Sequence, residues 1–158
     1  HEVTAAIVLV TTGRTPPGVS GLRVATDRMR GAGPLGGIYT AIQIASPGLA
    51  LVVACDMPFL TASFLRRLVA EAAGADAAVP RTADGQHPLC AVYAPSAAEP
   101  IRRRIEGGRL KVNDALADLR VRELGPKEIA RYDPDGTLFF NINTPDDYKR
   151  ALAVAGRG

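Results

Sequence analysis

The sequence predicts an α/β fold, a mostly parallel sheet with helices on both of its sides, and three observations predict it. Short apolar runs rich in Ala, Val and Leu recur at 4–12, 22–26, 49–54, 75–79, 89–93, 121–124 and 137–142. Between most of them lie stretches whose apolar residues fall at helical spacing, so strand and helix alternate. The run LALVVA at 49–54 is apolar without interruption, the pattern of a central strand buried on both faces of a parallel sheet.

Each element has its own signal. Residues 4–12 (TAAIVLVTT) read as a buried strand that Gly13 ends, and 14–21, with two prolines and two glycines, as a loop. A second short strand at 22–26 ends at Asp27. The stretch RMRGAGPLGG then leads into a helix at 38–45, with Ile38, Ala41, Ile42 and Ala45 on one face and Pro47-Gly48 as its stop. Pro58 cannot donate to a sheet ladder, so the central strand should end near Asp56. Residues 61–73 read as a helix with Thr61 available as N-cap, an apolar face of Phe64, Leu65, Leu68 and Val69, and Gly74 as its stop. A strand at 75–79, a polar loop at 81–87 and a strand at 89–93 follow. The helix expected at 96–106 carries Arg102, Arg103 and Arg104 near its end, where cations suit the helix dipole, and Gly107-Gly108 breaks it. After a short helix at 112–119 and a strand at 121–124, TLFFNI at 137–142 is the last strand. The last helix, 145–155, is capped by Thr144 and has Asp146 and Asp147 in its first turn. No repeat, low-complexity tract or linker divides the chain, so 1–158 reads as a single domain.

Composition narrows the function classes. With 47% hydrophobic and 22% charged residues the chain is ordinary for a soluble globular enzyme, and with 5% aromatics its core must come from Ala, Val, Leu and Ile. A net charge of +3 suits an anionic small molecule, whereas no basic tract is interleaved with aromatics, which argues against nucleic acid. Cys55 and Cys90 both lie in apolar runs, so buried reduced thiols and a cytoplasmic compartment are expected. There is no CxxC or Cys/His cluster to hold zinc, and no apolar run approaches the ~20 residues of a membrane span.

Four features bear chemistry. Asp56 is a lone carboxylate at the carboxyl end of the central strand, where open α/β sheets bind ligands; it reads as a metal- or phosphate-site carboxylate, or else as a turn or cap for the following helix. Gly31–Gly36 (GAGPLG) is literally a GxGxxG, with Asp56 standing 20 residues beyond Gly36 as the ribose acid of a nicotinamide- or flavin-dependent oxidoreductase would. Two facts weaken that match: Pro34 removes a helix N-terminal donor, and four residues separate Thr26 from Gly31. A nucleotide-handling loop with Asp27 beside it, or a plain turn, remain as readings. Asn141 and Asn143 alternate, so in a strand they face one side as a donor/acceptor pair for a polar ligand; alternatively Asn143 and Thr144 form a turn and an N-cap. His87, in Gln86-His87-Pro88, could contact a phosphate or serve the fold.

Taken together, GPLGGIYTAI, VVACDMPFL, QHPLCAVY and FFNINTPDDYKRA, in this order and spacing, resemble the molybdenum cofactor guanylyltransferases. The resemblance covers 5–153 and implies a Rossmann-like three-layer α/β/α sandwich of the nucleotidyltransferase type. It implies transfer of GMP from GTP to the terminal phosphate of molybdopterin, with release of pyrophosphate and with Mg²⁺ as cofactor. It further implies no nucleic-acid or membrane partner, and molybdoenzymes or cofactor-biosynthesis proteins as associates. Carried over by position, Asp56 matches the Mg²⁺ ligand and Asp27 an acidic residue near the guanine nucleotide. Gly33, Pro34, Leu35 and Gly36 match the nucleotide loop. Asn141 and Asn143 match paired amides on the acceptor side, where His87 is also placed.

Two departures shape the expectations. The family opens with a strand and a loop of the type L-A-G-G-x-x-x-R-M-G-x-D-K, whereas this sequence starts at what resembles the second strand. An uncovered position beside the central strand is therefore expected. Where the family often places Asn-Arg to read guanine, this chain has Thr12-Gly13-Arg14. A sister cytidylyltransferase and a catalytically silent nucleotide-binding or regulatory relative accordingly stand as alternatives.

Overall fold

Alternation along the strands decides the layers. The computed structural model describes residues 3–13 and 21–156. Its strands are β1 (Val8–Thr11), β2 (Arg23–Thr26), β3 (Ala50–Val53), β4 (Ala77–Thr82), β5 (Gly85–Gln86), β6 (Cys90–Tyr93) and β7 (Val121–Leu124). Its helices are α1 (Gly33–Ala45), α2 (Ala62–Glu71), α3 (Ala98–Glu106), α4 (Val112–Leu116), α5 (Pro126–Ile129) and α6 (Pro145–Ala155). Successive side chains of a strand point to opposite faces. Ala77, Val79, Ala91 and Tyr93 therefore pack on one side with Leu35, Ile38 and Ile42 of α1 and Ile101 of α3. Ala78, Cys90 and Val92 pack on the other with Phe64 and Leu68 of α2 and Ile129 of α5. The result is the expected three-layer α/β/α arrangement, and no helix among the described residues is long and apolar enough to cross a membrane.

Within the main sheet β3, β4 and β7 run in one sense, and β6 lies between β3 and β4, antiparallel to both. The reversal follows from the connection. Instead of ending at 79, β4 continues through Pro80 to Thr82 and turns back at 83–84 into β5, with Arg81 opposite Gln86. A connection this short cannot cross over to a parallel neighbour. Gly85 supplies the left-handed residue of that turn at φ 116°. The polar loop expected at 81–87 is thus a hairpin.

The first two strands stand apart. β1 and β2 form a parallel two-stranded sheet, while β3, expected at the centre, has β6 as its one neighbour among the described residues. Residues flanking that open edge stay partly exposed, Leu49 at 43% and Val53 at 41%. The loop expected at 14–21 lies outside the described residues apart from Gly21.

Helix starts follow the chemistry of their caps. Thr61 Oγ1 accepts the Phe64 N–H (3.3 Å) at the start of α2, and Thr144 Oγ1 accepts the Asp147 N–H (3.1 Å) at the start of α6. α1 begins five residues earlier than the spacing suggested, because Pro34 fits a first helical turn; Gly33, Pro34, Leu35 and Gly36 are helix, not loop. α5 gave no periodic signal, being a single turn opened by Pro126. Two expectations fail outright. Cys55 is exposed in the turn after β3, whereas Cys90 is buried as expected. No strand forms at 137–142: Asp133 Oδ1 accepts the N–H groups of Thr137 (2.7 Å) and Leu138 (2.9 Å), and the Phe140 N–H turns back to Thr137 (2.9 Å). Those donors are spent locally, so no ladder can use them.

Candidate functional site

Two clusters form where the chain leaves β2 and β3, at carboxyl ends of strands. At the first, the Asp27 N–H continues the β1–β2 pairing by donating to Thr11 O (2.7 Å), which turns the carboxylate inward until it is 8% exposed. Its Oδ1 accepts the Thr40 hydroxyl (2.9 Å) and the Met29 N–H (2.9 Å), while Thr40 Oγ1 accepts the Arg28 N–H (2.9 Å). A polar seam thus ties the 27–29 turn to α1. Gly36 lets it close: a Cβ there would lie 2.7 Å from Asp27 Oδ2 and 2.9 Å from the Met29 carbonyl. The glycine is needed for close approach, not for an unusual backbone conformation.

The second cluster surrounds Asp56. The Ala54 N–H still reaches Leu89 O (2.7 Å), after which the chain turns, and the Asp56 carbonyl accepts the Ile142 N–H (2.9 Å). This bond draws 140–143 against the end of β3. Asp56 Oδ1 and Asn141 Oδ1 are both buried there without a hydrogen-bond partner. Thr61, rather than Asp56, caps α2. The segment carrying Asn141 is held by rings. Phe139 stacks on His87 (centroids 4.3 Å, planes 21° apart) and meets Phe64 edge-on at 5.5 Å. Phe140 contacts Phe59 at 6.0 Å and lies 5.1 Å from the Arg150 guanidinium.

Two buried acceptor oxygens without donors are costly, and a bound cation is one group that would relieve that cost. The donor set fits Mg²⁺, which is hard, takes oxygen ligands, and is usually held by one or two protein groups with phosphates and water completing its shell. Among the described residues no group of three or more His, Cys, Asp or Glu converges.

The expected partnership of Asn141 with Asn143 is not formed. With no strand at 137–142 the two amides do not alternate on one face. Asn143 is exposed, and its N–H and that of Thr144 both donate to Asp147 Oδ2 (3.2 and 3.0 Å), which makes 143–144 part of the α6 cap. His87 is half-buried. Thr82 Oγ1 bonds its Nε2 (2.8 Å), and burial lowers its pKa below the usual histidine value, so the ring is neutral at pH 7. Sequence reasoning missed Thr40 and the two phenylalanines that place Asn141. Thr40 did leave a trace, as a hydroxyl one helical turn after Gly36.

Known proteins with this pattern share both fold and sequence. The family model of the MobA-like NTP transferase domain matches residues 1–121. A probable molybdenum cofactor guanylyltransferase of Pelotomaculum thermopropionicum is 36% identical over 135 residues, 85% of this chain and 66% of that protein. The molybdenum cofactor guanylyltransferase of Desulfosudis oleivorans is 34% identical over 136 residues, covering 85% and 67%. The chain therefore spans about two thirds of the length of these curated relatives. Among solved structures, molybdopterin-guanine dinucleotide biosynthesis protein A from Archaeoglobus fulgidus superposes with a TM-score of 0.78 at 35% identity, covering 88% of this chain and 71% of that one. The fold and these matches agree, and the chain belongs to the MobA-like NTP transferase family.

Proposed function

We propose that this chain is the nucleotide-handling part of a molybdenum cofactor guanylyltransferase. In that reaction a terminal phosphate oxygen of molybdopterin attacks the α-phosphorus of GTP, the α–β anhydride bond breaks, and pyrophosphate leaves with the bonding pair. The observation that carries the reading is the pair of buried, unpartnered oxygens on Asp56 and Asn141 at the end of β3. These two residues would hold Mg²⁺, which when bound neutralises charge on the phosphates. Asp56 contributes the negative charge of the site, and Asn141 a neutral oxygen fixed by the flanking rings. Asp27 and Thr40 brace the start of α1, so that the helix from Gly33 to Gly36 keeps its place beside the nucleotide. On the acceptor side we place the exposed amide of Asn143 and Nδ1 of His87. A neutral imidazole there adds no charge to a site built for polyanions. Two free thiols, one of them exposed, fit a reducing cytoplasm.

Pyrophosphate release with GTP and molybdopterin, compared with CTP and ATP across a Mg²⁺ titration, tests the reading. Asp56→Asn keeps the shape and removes the charge. Turnover should fall by roughly two to four decades, about 3–5 kcal/mol at 1.36 kcal/mol per decade, while the thermal unfolding midpoint holds. A variant within a few-fold of wild type at low Mg²⁺ would reduce Asp56 to a turn residue. Equal rates with CTP would move the protein to the sister activity.

A further inference from the structure

Asn141 belongs to no strand or helix, and two groups bracket it along the chain. Before it, the Phe140 ring contacts Phe59 at 6.0 Å. After it, Asp147 Oδ2 accepts the N–H groups of Asn143 (3.2 Å) and Thr144 (3.0 Å) and the Thr144 hydroxyl (2.8 Å). Arg150, three residues further along α6, touches both brackets. Its guanidinium carbon lies 5.1 Å from the centre of the Phe140 ring, and its Nη1 stands 3.7 Å from Asp147 Oδ1.

We propose that Arg150 is a positioning residue for Asn141. One guanidinium ties the ring before Asn141 to the cap after it, and so holds the buried amide oxygen at the end of β3. The inference rests on the reading of Asp56 and Asn141 as the metal-holding pair. Residues 147 and 150 are neighbours on one face of a helix, so the carboxylate and the guanidinium leave α6 together. Neither contact is strong alone: the Arg150 side chain is 70% exposed, where ion pairs and cation–π contacts are both weak. Against the packed core they would count for little. The 140–144 stretch, however, has no ladder among the described residues, so one weak tie at each end removes much of the freedom Asn141 retains. Groups behind a ligand that fix its orientation are a general determinant of metal affinity.

Charge gives the proposal a definite sign. Arg150 is a cation carried next to a site read as holding a cation, so by Coulomb's law alone its removal should tighten Mg²⁺ binding. A brace predicts the opposite. Calorimetry of Mg²⁺ binding to the GTP-saturated chain reads that sign. Arg150→Gln should weaken Mg²⁺ by about threefold, whereas Arg150→Lys, which keeps the charge for both contacts, should stay within about twofold of wild type. In a Phe140→Leu background the ring is already gone, so Arg150→Gln should cost less than about half as much. Amide hydrogen exchange of Ile142, read on the chain without ligand, should speed up at least about threefold in Arg150→Gln, while exchange in Cys90–Tyr93 and the thermal midpoint hold. Mg²⁺ affinity unchanged or raised in Arg150→Gln overturns the proposal. So does an equal loss in the lysine and glutamine variants, or unchanged exchange at Ile142. Faster Ile142 exchange in the variant, together with a wild-type chain that binds no Mg²⁺, would support the brace and overturn the metal reading instead.

Discussion

Replacing Gly36 by alanine adds one methyl group at the closest approach that an added Cβ would make on any described glycine. In an ordinary helix the change is favourable by ~0.5–1 kcal/mol, since glycine loses more backbone entropy than alanine. Here the new carbon meets Asp27 Oδ2 at 2.7 Å and the Met29 carbonyl at 2.9 Å, where ordinary contacts begin at 3.4 Å. The carboxylate can rotate away, but only by giving up hydrogen bonds from the Thr40 hydroxyl and the Met29 N–H. Such bonds to a charged group are worth ~1.5–3 kcal/mol each. The Met29 carbonyl is backbone, so it moves only with the whole turn, and overpacking of this kind costs ~1–3 kcal/mol. Offsetting the helix gain leaves a net loss of ~2 kcal/mol, which lowers the midpoint of a domain this size by ~4–8 °C. Gly37→Ala is the internal control, because nothing lies within 4 Å of its added carbon. It should stabilise by ~0.5–1 kcal/mol. Urea and thermal unfolding of both variants decide the matter. A Gly36→Ala protein as stable as Gly37→Ala would show that the seam between Asp27 and α1 yields freely, and the argument would fall.

Three further outcomes follow from the same geometry. Thr40→Val keeps the side-chain volume but leaves the Arg28 N–H and Asp27 Oδ1 short of a partner, so stability should drop by ~1–3 kcal/mol in urea unfolding; a loss under 0.5 kcal/mol would show that water replaces the hydroxyl. Burial lowers the His87 pKa below its unfolded value of 6.5, so the unfolded chain binds more protons in that window. Stability should be at its full level above about pH 7 and fall as pH drops below 6.5, and His87→Gln should flatten that slope in urea midpoints taken from pH 5 to 8. Phe140→Ala removes the ring between Phe59 and Arg150 and frees the segment beside Asp56. Mg²⁺ affinity measured by calorimetry with GTP present should fall several-fold, and an unchanged affinity would separate Asn141 from the metal.

The parts of this molecule that follow from local chemistry were legible in its sequence. Thr61 and Thr144 announce two helix starts by their hydroxyls, and the run before Asp56 announces both a strand and a ligand-facing carboxylate. The sense of β6 was not legible in the same way, because a strand's direction belongs to its connection; the sign available was Asp84-Gly85, which makes the hairpin. TLFFNI has every composition mark of a strand, yet Asp133 takes its first two donors from outside the motif. Asn141 therefore reaches the site by a route that alternation did not describe, while Asn143 goes to a helix cap. Asp27 was found through its place beside the glycines, but its partner Thr40 lies 13 residues away, and only the packing of α1 reveals the pair.

The ring contacts around Phe139 and Phe140 carry a consequence for how this protein fails when heated. What places Asn141 near Asp56 is side-chain packing, the Ile142 N–H bond to the Asp56 carbonyl and short-range bonds to Asp133, Thr137 and Asp147; among the described residues no ladder runs through 137–143. Segments tied this way open at a fraction of the free energy that unfolds the core strands. The floor of the site can therefore swing out while β4, β6 and their two helical layers remain intact, and warming should extinguish function several degrees before it melts the fold.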